Sequence, residues 1–386
     1  MTPDTTGAFH ELQESSNMTI RAVVAVLTLL TLFLASACSD SAEPPTGAGS
    51  APVAAQPQDG AWTLASRRLS APVAASDVLR ASIEGTPQPN VAEHRKTTTF
   101  TTAEQWVQAV AALNATKTES TKALATRWSV TVAEDKIAGV TVRMVTPAEI
   151  DPANESRLFV HVHGGAYVVN GGPVGVAEAI LIAHRAKIET LSIDYRMPPE
   201  DPFPAAVDDV VAVWKSLLAD RPAKKMALGG TSAGGGLTLA SIHRFKELGL
   251  ELPGALWAGT PWTDLTKTGD SHFTNEGIDR MLVTYDGLLE GAAKLYANGH
   301  DLKSPLISPV YGDFEAFPPT YLVTGTRDLF LSDVVRVHRK MRVAGVIAEL
   351  NVYEGLSHGG YALVVDSPES EQVFGELGVF LLRHLG

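Results

Sequence analysis

The chain has 386 residues, one cysteine, 43 acidic and 31 basic side chains, and a formal net charge of −12. Hydrophobic residues are 45% of it and charged residues 19%, enough apolar content for a sizeable core and too much for wholesale disorder. The acidic balance argues against nucleic acid or an anionic membrane surface as the main partner, and a single cysteine excludes an intrachain disulfide and a thiolate-rich metal site.

In chain order, residues 1–37 read as a signal peptide. Arg21 precedes an apolar core from Ala22 to Leu34, and the small residues Ala35-Ser36-Ala37 follow. That core is shorter than the roughly 20 residues a bilayer span needs. Met18 is a candidate true start, because Asp4, Glu11 and Glu14 are out of place in a signal's leading region. Leu34-Ala35-Ser36-Ala37-Cys38 resembles a bacterial lipoprotein box, with the leucine one place early. Ala35-Ser36-Ala37 equally fits an ordinary signal-peptidase site, and either cut leaves Cys38 at the new N-terminus. Cys38 is thus the lipid-anchor candidate. The chain is expected in the bacterial cell envelope as a lipoprotein, or else as a soluble secreted or periplasmic protein. Residues 38–61 are mostly small and polar and read as a flexible tether.

From Trp62 the composition becomes globular. Residues 62–128 form an N-terminal helical region, in which Trp106, Val107, Val110 and Leu113 recur at helical spacing over Ala103–Leu113. Residues 129–386 form the main domain. Ser129–Glu134 and Gly139–Val145 alternate and predict a hairpin turning around Asp135–Ala138. Strands are then expected at Arg157–Val162, Thr190–Ile193, Lys225–Gly229, Gly254–Ala258, Thr320–Thr324 and Ala348–Tyr353. Helices are expected at Ala205–Leu218, Ala233–Leu248, Ser332–Ala344 and near Glu369–His384. This alternation implies a mostly parallel α/β sheet with helices on both faces, whose sites lie at the carboxyl ends of strands.

Those ends carry the chemistry. Gly230-Thr231-Ser232-Ala233-Gly234 lies between a strand and a helix, the context of a nucleophile elbow. Ser232 is the candidate nucleophile. The alternative is a glycine-rich tight turn, and a phosphate loop lacks its lysine. His163-Gly164-Gly165-Ala166 ends another strand, so the amides of Gly164 and Gly165, with that of Ala233, are candidate oxyanion donors. His163 is expected to brace the loop. His161 and His163 are a weak metal pair with no third ligand. Asp328, after Thr320–Thr324, and His358, after Ala348–Tyr353, are the candidate acid and base; Asp333 is the rival acid. His272, His300, His338 and His384 are worse placed. The order Ser232, Asp328, His358 is that of α/β-hydrolases.

These residues, together with Asp194–Glu200, Pro202–Ala206 and Pro261–Leu265, resemble the hormone-sensitive-lipase-like esterases of bacterial family IV, in the subgroup with G-T-S-A-G. The resemblance covers roughly residues 129–386 and implies an α/β-hydrolase fold with a helical cap, built from the N-terminal helices, with an insert at 264–304 as a further candidate part. Three positions depart from the family's pattern: Ala166 for a third glycine, Thr231 for the commoner aspartate, and Asp201 where histidine is frequent. Phe273, Met281, Leu282, Tyr285 and Tyr296 of the insert are either cap core or pocket lining.

The resulting expectation is a serine carboxylesterase for short or medium acyl esters, needing no cofactor or metal. Its partner is a small ester or lactone, and no oligomeric state follows from the sequence. A terpene-lactone-type lactonase, an amidase or a transacylase would use the same groups. A ligand-binding protein on this fold would lack the base, whereas His358 is present. A structural envelope lipoprotein with a vestigial site is the remaining alternative.

Overall fold

The computed structural model describes Ser66 and residues 68–386. The signal segment, Cys38 and the tether lie outside the described residues. Among the described residues no helix is long and apolar enough to cross a membrane.

Among the described residues three helices come first: α1 (Asp77–Gly85), α2 (Val91–Thr98) and α3 (Ala103–Arg127). Each starts where a side-chain oxygen meets an otherwise unpaired amide: Ser76 at Leu79, Asn90 at Glu93 and Thr102 at Gln105. Thr102 and Gln105 form a reciprocal capping box. The apolar spacing predicts α3 only as far as Leu113, but the helix continues to Arg127. Its later turns present polar side chains to the main domain. Asn114 Oδ1 accepts from the Asn170 amide at 2.9 Å, and Lys117 Nζ donates to Asn170 Oδ1 at 2.7 Å.

The hairpin is β1 (Thr131–Ile137) and β2 (Val140–Thr146), paired from Ile137↔Val140 to Thr131↔Thr146. Its turn is Ala138-Gly139, at φ 51° and 85°, rather than Asp135–Ala138. Positive φ at both central residues matches the strand twist, so the turn forms where a glycine can occupy the second place. The remaining strands are β3 (Leu158–Val162), β4 (Thr190–Ile193), β5 (Met226–Thr231), β6 (Ala255–Gly259), β7 (Thr320–Gly325) and β8 (Ala348–Tyr353). They make one eight-stranded sheet in the order β1-β2-β4-β3-β5-β6-β7-β8. β2 is antiparallel to both neighbours, and β4 through β8 run parallel. The carboxyl ends of β3, β5, β6, β7 and β8 therefore share one rim.

Helices cover both faces. On one side lie α4 (Ala177–Ala186) and α11 (Pro368–His384), packed against each other and sharing a core with Phe159, Trp257 and Tyr321. On the other lie α5 (Ala205–Asp220), α6 (Ala233–Glu247) and α9 (Leu331–Val343), around Val160, Leu228 and Leu322. Helix α4 escapes the sequence pattern. Ala179 through Ala183 are all buried, and a helix buried on every side shows no polar face.

Between β6 and β7 lie the short α7 (Ser271–Thr274) and α8 (Leu288–Ala297). The N-terminal helices meet this insert: Arg95 pairs with Glu276 and Asp286, each at 2.7 Å. The indole of Trp106 lies over Gly291, where an added Cβ would stand 2.9 Å from the ring. Helix α1 instead packs Leu79 and Ile83 into the α4–α11 side, with Leu356 and Tyr361. Between β8 and α11 lies the short α10 (Gly360–Leu363).

Candidate active site

Ser232 sits between β5 and α6 at φ 62°, ψ −125°. That region strains any residue with a Cβ by about 1–3 kcal/mol and persists only where the surroundings impose it. Here they do. The Ser232 amide donates to Gly259 O at 2.8 Å, and its carbonyl accepts from Gly236 at 3.0 Å and Trp262 at 2.9 Å. The flanking glycines have no room for side chains: a Cβ on Gly230 or Gly234 would lie 1.8 or 2.0 Å from Val162 O. Helix α6 begins at Ala233, so its first amides and positive dipole end lie beside the serine.

The loop after β3 runs along this elbow. A Cβ on Gly164 would stand 2.7 Å from Thr231 O and 3.3 Å from Ser232 Cβ. Gly165 has φ 123°, and Ala166 follows at φ 52°, a conformation in which glycine would be unstrained. Among the described residues, the amides of Gly164, Gly165 and Ala233 donate to no protein acceptor. The Gly164 carbonyl is turned the other way, accepting from His163 Nδ1 at 2.9 Å and Asn170 Nδ2 at 3.1 Å. His163 stacks on Tyr195 with ring centroids 4.1 Å apart. Burial pushes its pKa down to about 4, so it is a neutral donor that braces the loop. His161 bonds Ser192 Oγ at 2.9 Å and Glu178 Oε2 at 3.1 Å. No group of metal-ligating side chains occurs among the described residues.

Asp328 and His358 are brought together from β7 and β8. His358 Nδ1 lies 3.1 Å from Asp328 Oδ1, with His358 5% exposed and Asp328 fully buried. Asp328 Oδ1 also accepts from the Phe330 amide at 2.9 Å, and Oδ2 from Thr324 Oγ1 at 2.7 Å. These bonds leave the carboxylate one orientation. The Phe330 ring packs edge-on against His358 at 4.8 Å and stacks on Trp262, whose amide holds Ser232 O. The next residue, Gly359, would place a Cβ 3.8 Å from Thr231 Cγ2. The base loop thus lies against the nucleophile turn.

The rival acid, Asp333, is fully buried elsewhere. Its Oδ2 accepts from Thr263 and Asp264 amides at 3.0 and 2.9 Å, and its Oδ1 faces His272 Nε2 at 3.6 Å. It therefore braces the Pro261–Leu265 segment.

Two carboxylates next to the site are absent from the sequence reading. Glu178 of α4 accepts from Thr231 N (3.1 Å), Trp257 Nε1 (3.0 Å) and His161, and also from Thr231 Oγ1. Thr231 Oγ1 reaches on to Tyr361 OH at 2.6 Å. Burial raises the Glu178 pKa, but the bonds from His161, Thr231 and Trp257 outweigh it and hold the group below its ordinary value. The second is Asp279, in the insert, whose Oδ2 accepts from the backbone amides of Leu329 and His358. No local motif marks either residue: Thr231 and Trp257 lie 53 and 79 residues from Glu178, and Leu329 and His358 lie 50 and 79 residues from Asp279.

Comparison with known proteins agrees with this fold. Residues 159–362 match the model of a family described as alpha/beta hydrolase fold. An acetyl-hydrolase of Streptomyces hygroscopicus is 31% identical over 249 residues, 64% of this chain and 83% of the relative. The crystal structure of an esterase E25 superposes with a TM-score of 0.83 at 51% identity, covering 84% of this chain and 99% of that one. An esterase of the bacterial hormone-sensitive lipase family superposes with a TM-score of 0.68 at 28% identity, over 81% and 100% of the two chains.

Proposed function

The chain belongs to the α/β-hydrolase-fold family as a hormone-sensitive-lipase-like esterase, and from that premise we propose that Ser232, His358 and Asp328 carry out its ester hydrolysis. The observation that carries the assignment is the buried His358 Nδ1–Asp328 Oδ1 contact at 3.1 Å, set against the turn that holds Ser232 at φ 62°.

His358 takes the Ser232 proton as Oγ attacks the ester carbonyl, and Asp328 fixes the tautomer and stabilises the imidazolium. The negative charge on the carbonyl oxygen is met by the amides of Gly164, Gly165 and Ala233. One such donor is worth about 3 kcal/mol. The intermediate collapses, His358 gives its proton to the departing alcohol, and an acyl-serine remains. Water then attacks the acyl-serine, with His358 again as base, and the carboxylic acid leaves.

The acyl group is short or medium. An acetyl-hydrolase among the relatives supports the short end. Hydrolysis of p-nitrophenyl acetate, butyrate and a longer ester, beside a lactone and an anilide, separates esterase from lactonase and amidase action. Ser232→Ala is expected to abolish turnover. A fluorophosphonate probe is expected to label Ser232; activity surviving in the alanine variant would refute the mechanism. Cys38, on the sequence pattern, is the lipidated N-terminus that anchors the enzyme in the cell envelope. Mass spectrometry of the mature N-terminus tests this, and an unmodified Cys38 would mean secretion instead.

A further inference from the structure

A third carboxylate is buried beside the proposed acid and base. Asp279, in the insert between β6 and β7, is 0% exposed. Its oxygens accept only backbone amides. Oδ1 takes Met281 at 2.8 Å and Leu282 at 3.0 Å, closing its own turn. Oδ2 takes Leu329 at 2.7 Å and His358 at 3.2 Å. Leu329 directly follows Asp328, so one oxygen joins the acid loop to the base itself. The surrounding segment is fastened to the same loops. Asn275 Nδ2 donates to Asp328 O at 2.8 Å and Thr326 O at 3.3 Å. Ser271 Oγ donates to Leu329 O at 2.7 Å, and the Arg280 amide to Ser357 Oγ at 3.2 Å. The insert is therefore a strap across both loops, and Asp279 is the side chain that touches the two together.

Burying a charge is costly unless it is hydrogen-bonded, and four amides supply those bonds here. Closing a turn needs only the first two. The other pair fixes the spacing across the His358–Asp328 contact, where misplacement by about 1 Å costs on the order of 10²-fold in rate. The titratable groups facing Asp279 are Asp328 and His358: burial and the Asp328 carboxylate push its pKa up, while His358 and the backbone amides of Leu282 and Leu329 pull it back toward the charged form. The two nearby arginines turn away, Arg280 to Ser82 O at 3.4 Å and Arg327 to Ser70 O.

We propose that Asp279 is a positioning residue for the acid–base pair, holding the Leu329 and His358 backbones in register and placing a second negative charge beside the imidazolium formed during catalysis. The proposal rests on the assignment of Ser232, His358 and Asp328. Both effects act as the imidazolium forms, so they are read in the chemical step.

The test is Asp279→Asn in the full chain, with kcat and KM for p-nitrophenyl butyrate measured across pH and the melting temperature alongside. The isosteric amide removes the charge and turns an NH2 group toward two of the four amides. The expected result is a fall in kcat of about tenfold or more with KM within about twofold. The acid limb of kcat/KM should also move to lower pH, because the imidazolium loses a neighbouring negative charge. A folded variant with unchanged kcat and an unmoved acid limb overturns the proposal, as does a lowered melting temperature with neither kinetic change. Asp279→Glu is a second arm: partial recovery of kcat and of the acid limb supports the charge's role, and behaviour identical to asparagine in both overturns it. Ser232→Ala is run in parallel. Activity surviving there removes the underlying assignment, whereas an inert Ser232→Ala with an unaffected Asp279→Asn removes only the role of Asp279.

Discussion

Glu178→Gln tests whether the polar cluster under the nucleophile turn holds that turn. Glu178 receives four hydrogen bonds, two from Thr231 and one each from Trp257 and His161. Glutamine keeps the shape and replaces one oxygen by an NH2 group. With NH2 at the Oε1 place, the Thr231 hydroxyl can turn to Tyr361, but the Trp257 indole N–H cannot turn. With NH2 at the Oε2 place, His161 can exchange tautomers with Ser192, but the Thr231 amide is fixed. Either orientation leaves one buried N–H facing another donor, at about 1–3 kcal/mol, and weakens the remaining bonds by removing their charge. The expected loss is about 2–4 kcal/mol, or roughly 3–6 °C in melting temperature for a folded body of this size. Because Thr231 adjoins Ser232, kcat should fall as well, by about tenfold. Thermal melts with p-nitrophenyl butyrate kinetics on the same preparation measure both. A melting temperature within about 1 °C of the parent and an unchanged kcat would refute the reasoning. The pH dependence has a definite sign. A carboxylate held below its ordinary pKa stabilises the fold above the unfolded value. Its contribution is lost as pH falls through the carboxylate range, and the glutamine variant should show a flatter acid slope.

Asp328→Asn should lower kcat by about 10⁴-fold with little change in KM, since the tautomer of His358 is no longer fixed; steady-state kinetics check it. Gly164→Ala places a Cβ 2.7 Å from Thr231 O, so the donor loop must move away from Ser232. The expected outcome is a loss in kcat of at least about 10²-fold, near that of one oxyanion donor. His163 and His243 are both lowered by burial from 6.5 to about 4. Unfolded histidines bind protons first as pH falls, so stability is full above pH 6.5 and declines toward pH 4, which urea midpoints across that range will show. Trp106→Ala removes a buried indole packed on Phe100 at 5.0 Å and on Gly291 of the insert. The expected cost is about 3–5 kcal/mol, read from denaturant midpoints.

Much of the fold was legible because its signals are local. The parallel strands are short apolar runs, and β3, β5, β6 and β7 appear within a residue or two of their expected bounds. The nucleophile turn was legible for the same reason: glycines at 230 and 234 are demanded by contacts with Val162 O that any sequence on this backbone must respect. The hairpin turn was misplaced by preferring the polar Asp135–Ala138 over the position where Gly139 accepts φ 85°. Helix α4 was missed because burial on all sides erases the periodicity on which recognition depends.

By itself, the sequence determined the α/β class, the rim on which the chemistry gathers, and the residue types at each strand end. Those follow from steric demands and apolar spacing within a dozen residues. Only the tertiary structure decided which carboxylate meets which group. Asp328 rather than Asp333 faces His358 because the Thr324 hydroxyl and the Phe330 amide orient it, while Thr263 and Asp264 engage Asp333. Glu178 and Asp279 gain their places from partners on other strands. A carboxylate carries no local mark of its role, because what fixes its orientation and charge is the set of donors that folding brings around it.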